Sequence, residues 1–239
     1  MSIAENLAAV RAEIVEACAK AGRHPDEVKL MAVSKTHGPR ALAEAFQAGQ
    51  TLFGENKVQE WEHKRDQLQS LIGEDVAKVE MHLIGNLQSN KASKAAWLFA
   101  SVDAVDTIKV AAKLNAVAAQ AGQVLPILIE VKTSEEESKH GVIEYALPGL
   151  VQQIIDEMDG LEIRGLMTVP PFTDDPDGAR PYFAKLRELR DKLRTDFNLP
   201  LPELSMGMSH DFAIAIEEGS TCVRIGTGIF GQRGRVGID

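Results

Sequence analysis

Lys35 is the residue of this chain best placed for covalent chemistry. It ends an apolar run, Val28-Lys-Leu-Met-Ala-Val-Ser-Lys35, and Thr36-His37-Gly38-Pro39 follows at once, so an amine stands where a buried strand gives way to a loop. A lysine attacks a carbonyl only as the free amine, and a low-dielectric strand end near other cations favours that form. The expected product is a Schiff base. The competing reading is that Lys35 lays its stem along apolar surface and keeps its charge in water.

Two further segments offer anion chemistry. Ser205-Met-Gly-Met-Ser-His210 and Gly226-Thr-Gly-Ile-Phe-Gly231 each supply small residues, hydroxyls and backbone N–H groups just before a helix start, which is what a phosphate dianion needs. Either segment alone also reads as a tight turn using glycine's positive φ. The second matches G-x-G-x-x-G, but that pattern binds dinucleotides only inside a βαβ unit with an acidic residue further on. Eight residues follow Gly231, too few for such a unit.

Other constellations are weaker. His24, His37, His63, His82, His140 and His210 show no metal-binding spacing, so no metal site is expected. His82 lies mid-strand and points either into the core or toward a ligand. No G-x-S-x-G elbow is present, and Cys222 falls inside a strand rather than at a helix start, so acyl-transfer chemistry has no nucleophile. Glu135-Glu136-Glu137 reads as a solvated loop, and the charges from Lys185 to Arg194 as the outer face of a helix.

The elements that must position these groups alternate short apolar runs with stretches of helical period, the signature of βα units and a parallel sheet. An opening helix aligns Ile3, Leu7, Val10 and Ile14. Strands are expected at 28–34, 51–54, 80–84, 101–105, 125–131, 161–169, 203–206 and 221–225. Helices fill the gaps: one begins at Pro39, one spans 57–71 with Val58, Trp61, Leu68 and Leu71 inward, and others lie at 89–97 and 107–121. The next turns Leu150, Val151, Ile154, Ile155 and Met158 inward. A long one carries Phe183, Leu186, Leu189, Leu193 and Phe197, and a short one spans 211–218. Eight such units in 239 residues predict a single-domain (β/α)8 TIM barrel over 1–239 with an extra N-terminal helix. An open doubly wound sheet is the alternative. In a barrel the chemistry gathers at the C-terminal strand ends, and the loops after the last two strands are the usual phosphate site.

The 26 basic and 35 acidic side chains leave a net charge of −9, which opposes binding to nucleic acid or to an anionic membrane surface. No apolar stretch reaches the roughly 18 residues of a membrane span, and no secretory leader opens the chain. Two isolated cysteines suit a reducing compartment. A cytoplasmic protein is expected.

Taken together, Lys35, the two phosphate segments and Arg224 resemble the pyridoxal phosphate homeostasis protein family. The motifs are Ala32-Val-Ser-Lys35, Phe53-Gly-Glu-Asn-Lys-Val-Gln-Glu60, His82-Leu-Ile-Gly-Asn-Leu-Gln-Ser-Asn-Lys91, Gly165-Leu-Met-Thr168, Leu204-Ser-Met-Gly-Met-Ser209 and Val223-Arg-Ile-Gly-Thr227, and they span nearly the whole chain. The resemblance implies an alanine racemase N-terminal-domain-like barrel in which Lys35 carries pyridoxal 5′-phosphate (PLP) as an internal aldimine. It implies that Ser209, Gly226 and Thr227 hold the phosphate, that Arg224 lies near the pyridine nitrogen, that Asn56 and Met206 line the cofactor, and that Lys139 approaches the phenolic oxygen. His210 departs from the family, where acidic residues are common after the serine.

An arginine can only donate, so opposite the pyridine nitrogen it leaves that atom unprotonated and weakens the ring as an electron sink. A racemase also needs an acid/base on the opposite face, which its family takes from a second domain across a dimer. Tyr145 and Tyr182 fall in no matching motif, and no second domain is expected here. The expected function is therefore intracellular PLP storage, delivery or buffering by a monomer without catalytic residues, with PLP-dependent apoenzymes as recipients. The alternatives are a PLP-dependent amino-acid racemase and a class I aldolase, which also forms lysine imines on a barrel.

Overall fold

Ser2 opens the first helix through a reciprocal cap. Its hydroxyl accepts the Glu5 N–H, and its own N–H donates to the Glu5 carboxylate at 2.7 Å, satisfying amides that a helix start leaves unpaired. The helix α1 (Ile3–Lys20) buries Leu7, Val10 and Ile14 and packs against the helices that follow the first and last two barrel strands. The computed structural model describes residues 1–136 and 140–231.

Among the described residues eight parallel strands close into a ring: β1 (Lys29–Val33), β2 (Leu52–Glu55), β3 (Glu80–Leu83), β4 (Ser101–Val105), β5 (Leu125–Lys132), β7 (Leu161–Met167), β8 (Glu203–Met208) and β9 (Cys222–Ile225). The β1–β9 and β4–β5 pairings complete the circle and exclude the open sheet. The two-residue strand β6 (Val142–Ile143) pairs with the end of β5 and takes no part in the ring; it was too short to leave a sequence signal. Helices α2 (Pro39–Gln47), α3 (Val58–Ile72), α4 (Ala92–Leu98), α5 (Ile108–Gln120), α6 (Leu147–Glu157), α7 (Arg180–Phe197), α8 (Phe212–Glu217) and α9 (Thr227–Phe230) connect the strands.

Period-2 alternation divides the strand residues between two environments. Phe53, Leu83, Ile127, Ile129, Leu204 and Val223 are buried in the main core shared with the helices. The other parity fills the barrel in tiers. At the N-terminal mouth stand Lys29, Glu80, His82, Ser101, Arg164 and Glu203. The waist is packed with Met31, Leu52 and Cys222 on one side and Ala104, Leu128 and Met167 on the other, with Ile84 touching both groups.

His82 points into this interior, where its ring is held between two carboxylates. Nδ1 lies 3.0 Å from Asp103 and Nε2 3.0 Å from Glu80, while Ser101 donates to the other Asp103 oxygen at 2.6 Å. Burial works against a charged ring, but the two carboxylates outweigh it and push its pKa up to about 10.

Several inward assignments differ from expectation. Leu71 and Ile155 are 45% and 43% exposed, because each lies at the margin of a narrow apolar stripe. On α3 the buried face runs Val58, Trp61, Lys64, Leu68, with an ion-paired lysine in the middle. The helix expected from Ser89 begins at Ala92, the preceding residues forming a turn in which the Lys91 N–H bonds the Gln88 carbonyl at 2.8 Å.

Candidate functional site

Lys35 stands one residue past β1, after Ser34, half-buried, with Thr36 beyond it in the left-handed region at φ 67°. Asn56 comes immediately after β2. A Cβ on Gly85 would collide with the Asn56 carbonyl oxygen, so the loop after β3 needs glycine there to let that backbone approach. On the far side of the ring Gly207 turns the end of β8 at φ 94°, where a Cβ would stand 2.6 Å from that of Ala215. That turn presents Met208 and Ser209 at the rim.

Arg224 rises from β9 with 4% of its surface exposed. Its guanidinium donates to Ser205 Oγ at 2.7 Å and to the Thr168 carbonyl at 2.8 Å, so two neighbouring strands fix its plane. Thr168 is itself held, donating to the Val131 carbonyl at 2.8 Å. Burial lowers the arginine pKa from its ordinary value, opposed by the charges of Asp103 and Glu130 among others, and the group remains a donor-only cation. The Thr227 hydroxyl donates to Ser209 Oγ at 3.3 Å and ties the last two loops together.

These groups line one cavity of about 370 Å³ at the C-terminal face, within the roughly 300–1,000 Å³ range of small-molecule sites. Lys35, Asn56, Ser209, Arg224, Gly226 and Thr227, six of the seven residues expected at a site, converge there. Met206 does not. Its side chain is fully buried in the main core on the same face of β8 as Leu204, and the register irregularity between Ser205 and Met208, at Gly207, breaks the alternation so that Met208 lines the cavity in its place. Val33, Ile84 and Val169 complete the apolar wall. Lys139 lies outside the described residues.

His210 also reaches the cavity. Its Nε2 lies 3.1 Å from the Thr173 carbonyl, and its ring packs on Phe172 at 5.3 Å between centroids. Tyr145 is 94% exposed, and neither it nor Tyr182 lines the cavity. A wider cleft of about 480 Å³ beside Arg11 and Lys29 lies at the opposite end of the barrel and holds none of the expected site residues. Among the described residues no cluster of His, Cys, Asp and Glu is placed to hold a metal ion, and no helix is long and apolar enough to cross a membrane.

The donor set fits a phosphorylated aldehyde: a primary amine, a fixed guanidinium, two hydroxyls and a glycine turn around a partly apolar pocket. Comparison with known proteins runs the same way. Residues 6–234 match the family described as alanine racemase, N-terminal domain. A pyridoxal phosphate homeostasis protein of Aquifex aeolicus is 41% identical over 233 residues, covering 98% of this chain and 99% of the relative. The structure of PipY from Synechococcus elongatus with PLP bound superposes with a TM-score of 0.83 at 35% identity, covering 96% of this chain and all of that one. The alanine racemase of Corynebacterium glutamicum shares the fold at a TM-score of 0.68 and 17% identity, with 99% of this chain matching 62% of the enzyme.

Proposed function

Because this chain belongs to the pyridoxal phosphate homeostasis protein family, built on the alanine racemase N-terminal domain, we propose that it binds PLP and serves to store, buffer or hand on that cofactor. The observation that carries this reading is the convergence of Lys35, Arg224 and the Ser209–Thr227 pair on one cavity. PLP supplies an aldehyde carbon that condenses with a primary amine, releasing one water. Lys35 is that amine, and the link is covalent. Ser209, Thr227 and the turn at Gly226 hold the phosphate, and Asn56 walls the ring.

Arg224 faces the ring nitrogen and sets the limits of the chemistry. Its fixed, donor-only guanidinium disfavours a proton on that nitrogen and so weakens carbanion stabilisation. A racemase further needs an acid/base facing the lysine. His210, the titratable neighbour on the rim, sits beside Ser209 at the phosphate end and is engaged with Thr173 and Phe172. The reading is therefore a non-catalytic carrier, acting as a monomer, with apoenzymes as recipients. Its buried free thiols, Cys18 and Cys222, suit the reducing cytoplasm.

The test is spectroscopic. Protein loaded with PLP should show the visible absorbance of a lysine imine, borohydride should fix the label on Lys35, and Lys35→Ala should lose both. A label on another lysine refutes the assignment. Incubation with amino acids in heavy water separates carrier from racemase, since Lys35-dependent exchange of the α-proton would make the protein an enzyme.

A further inference from the structure

The motif Phe53-Gly-Glu-Asn-Lys-Val-Gln-Glu60 contributes Asn56 to the cavity, and its two glutamates act elsewhere. Both reach a residue beside Lys35. Glu55 is fully buried, and one of its oxygens accepts the Ser34 hydroxyl at 2.7 Å and the Lys64 ammonium at 2.7 Å. Lys64, buried on α3, donates also to the Ser34 carbonyl at 2.9 Å and to Glu60 at 2.6 Å. The same Glu60 oxygen accepts the Thr36 N–H. One charged network thus grips the residue before Lys35 and the residue after it, while Lys35 itself lines the cavity.

Thr36 shows what the grip accomplishes. A β-branched residue at φ 67° is strained, and such a conformation persists only where its surroundings over-determine it. The Glu60 carboxylate on its N–H supplies that constraint. Two features set the network apart from ordinary stabilisation. A buried ion network adds little net stability, because desolvation offsets the attraction. The second Glu55 oxygen is buried with no hydrogen-bond partner, and burial pushes that carboxyl's pKa up against the pull of Lys64.

We propose that Glu55, Lys64 and Glu60 are positioning residues for Lys35, locking Ser34 and the strained Thr36 so that the ε-amine is aimed into the cavity. The proposal rests on Lys35 being the PLP-bearing lysine. With the network cut, the peptide units around Lys35 relax, and the amine meets the aldehyde less often in the geometry that closes the C=N bond and expels water.

The test compares the full-length wild type with Glu60→Ala, Lys64→Met, Thr36→Gly and the Glu60→Ala/Thr36→Gly double variant. Three measurements are made: the rate at which imine absorbance grows when PLP is added to apoprotein, its rate of loss on dilution, and the unfolding midpoint of the apoprotein. Glu60→Ala and Lys64→Met should form the imine roughly 10- to 100-fold more slowly. In the apoprotein of Glu60→Ala the Thr36 amide should exchange faster with heavy water. Glycine adopts positive φ without a Cβ penalty, so the double variant should recover most of the wild-type rate, which a general loss of stability would not allow. Wild-type rates in Glu60→Ala and Lys64→Met overturn the proposal, whatever their midpoints, and so does a Glu60→Ala defect that Thr36→Gly leaves uncorrected. If Lys64→Met does not fold, the Glu60 and Thr36 variants decide. If the wild type shows no borohydride label on Lys35, the PLP assignment itself fails and the positioning role falls with it.

Discussion

The hydroxyls of Ser209 and Thr227 stand 3.3 Å apart although 18 positions separate them in the chain. Parallel pairing of β8 with β9 brings the loops after these strands side by side, so two short polar side chains form one hydroxyl pair at the rim. If these hydroxyls hold the phosphate as proposed, Ser209→Ala and Thr227→Val each remove a bond to a charged oxygen, worth on the order of 1.5–3 kcal/mol. PLP should be retained roughly 10- to 100-fold less tightly in each variant. Equilibrium titration of apoprotein checks this, and unchanged affinity in both would remove the phosphate assignment.

Arg224→Lys keeps the charge and loses the fork. A lysine ammonium cannot serve Ser205 and the Thr168 carbonyl with the same planar geometry. Leaving one of these buried partners unsatisfied should cost about 1–3 kcal/mol. Urea unfolding of the apoprotein should register this loss, and loaded protein should show a shifted absorbance maximum if Arg224 faces the ring nitrogen as proposed.

Gly85→Ala should act on a residue it does not replace. The added methyl would push against the Asn56 backbone, and Asn56 lines the cavity at Lys35. The expected result is weaker PLP retention together with a lower unfolding midpoint, whereas Gly149→Ala, in helix α6 where a Cβ meets nothing within 4 Å, should leave retention unchanged and if anything raise the midpoint.

His82 predicts a pH dependence whose sign is fixed. Its folded pKa of about 10 lies above the ordinary 6.5, so the stabilisation is fully present below about pH 6.5 and drains away as pH rises toward 10. Unfolding midpoints taken across that window should fall in the wild type and flatten in His82→Gln. A wild-type curve that rises instead would mean that His82 is neutral in the folded protein.

Much of this barrel was legible because its strands are short, mostly apolar runs between longer helical stretches: Ser101–Val105 was expected and found with the same limits. The rim residues were legible for a different reason, since Lys35, Ser209 and Thr227 are polar groups at abrupt strand ends. Met206 was misplaced because a loop motif does not reveal where β8 stops. The strand runs on to Met208 with an irregularity at Gly207, so Met206 keeps the outward face of Leu204 while Met208 turns inward. Lys64 was missed altogether. The rhythm Val58, Trp61, Leu68 passes through it, and a charged residue on an apolar stripe was the available signal, but its partners Glu55 and Ser34 lie on other strands or their ends and meet it only after folding.

The tight waist of Met31, Leu52, Cys222, Leu128 and Met167 closes the cavity at Lys35 off from the N-terminal mouth of the barrel. A ligand seated on Lys35 has no back exit, so arrival and departure share a doorway bordered by Ser209, Thr227 and His210. A recipient cannot draw the cargo through from below. It must wait for spontaneous escape or crowd the same threshold, which makes loading and unloading rivals in time.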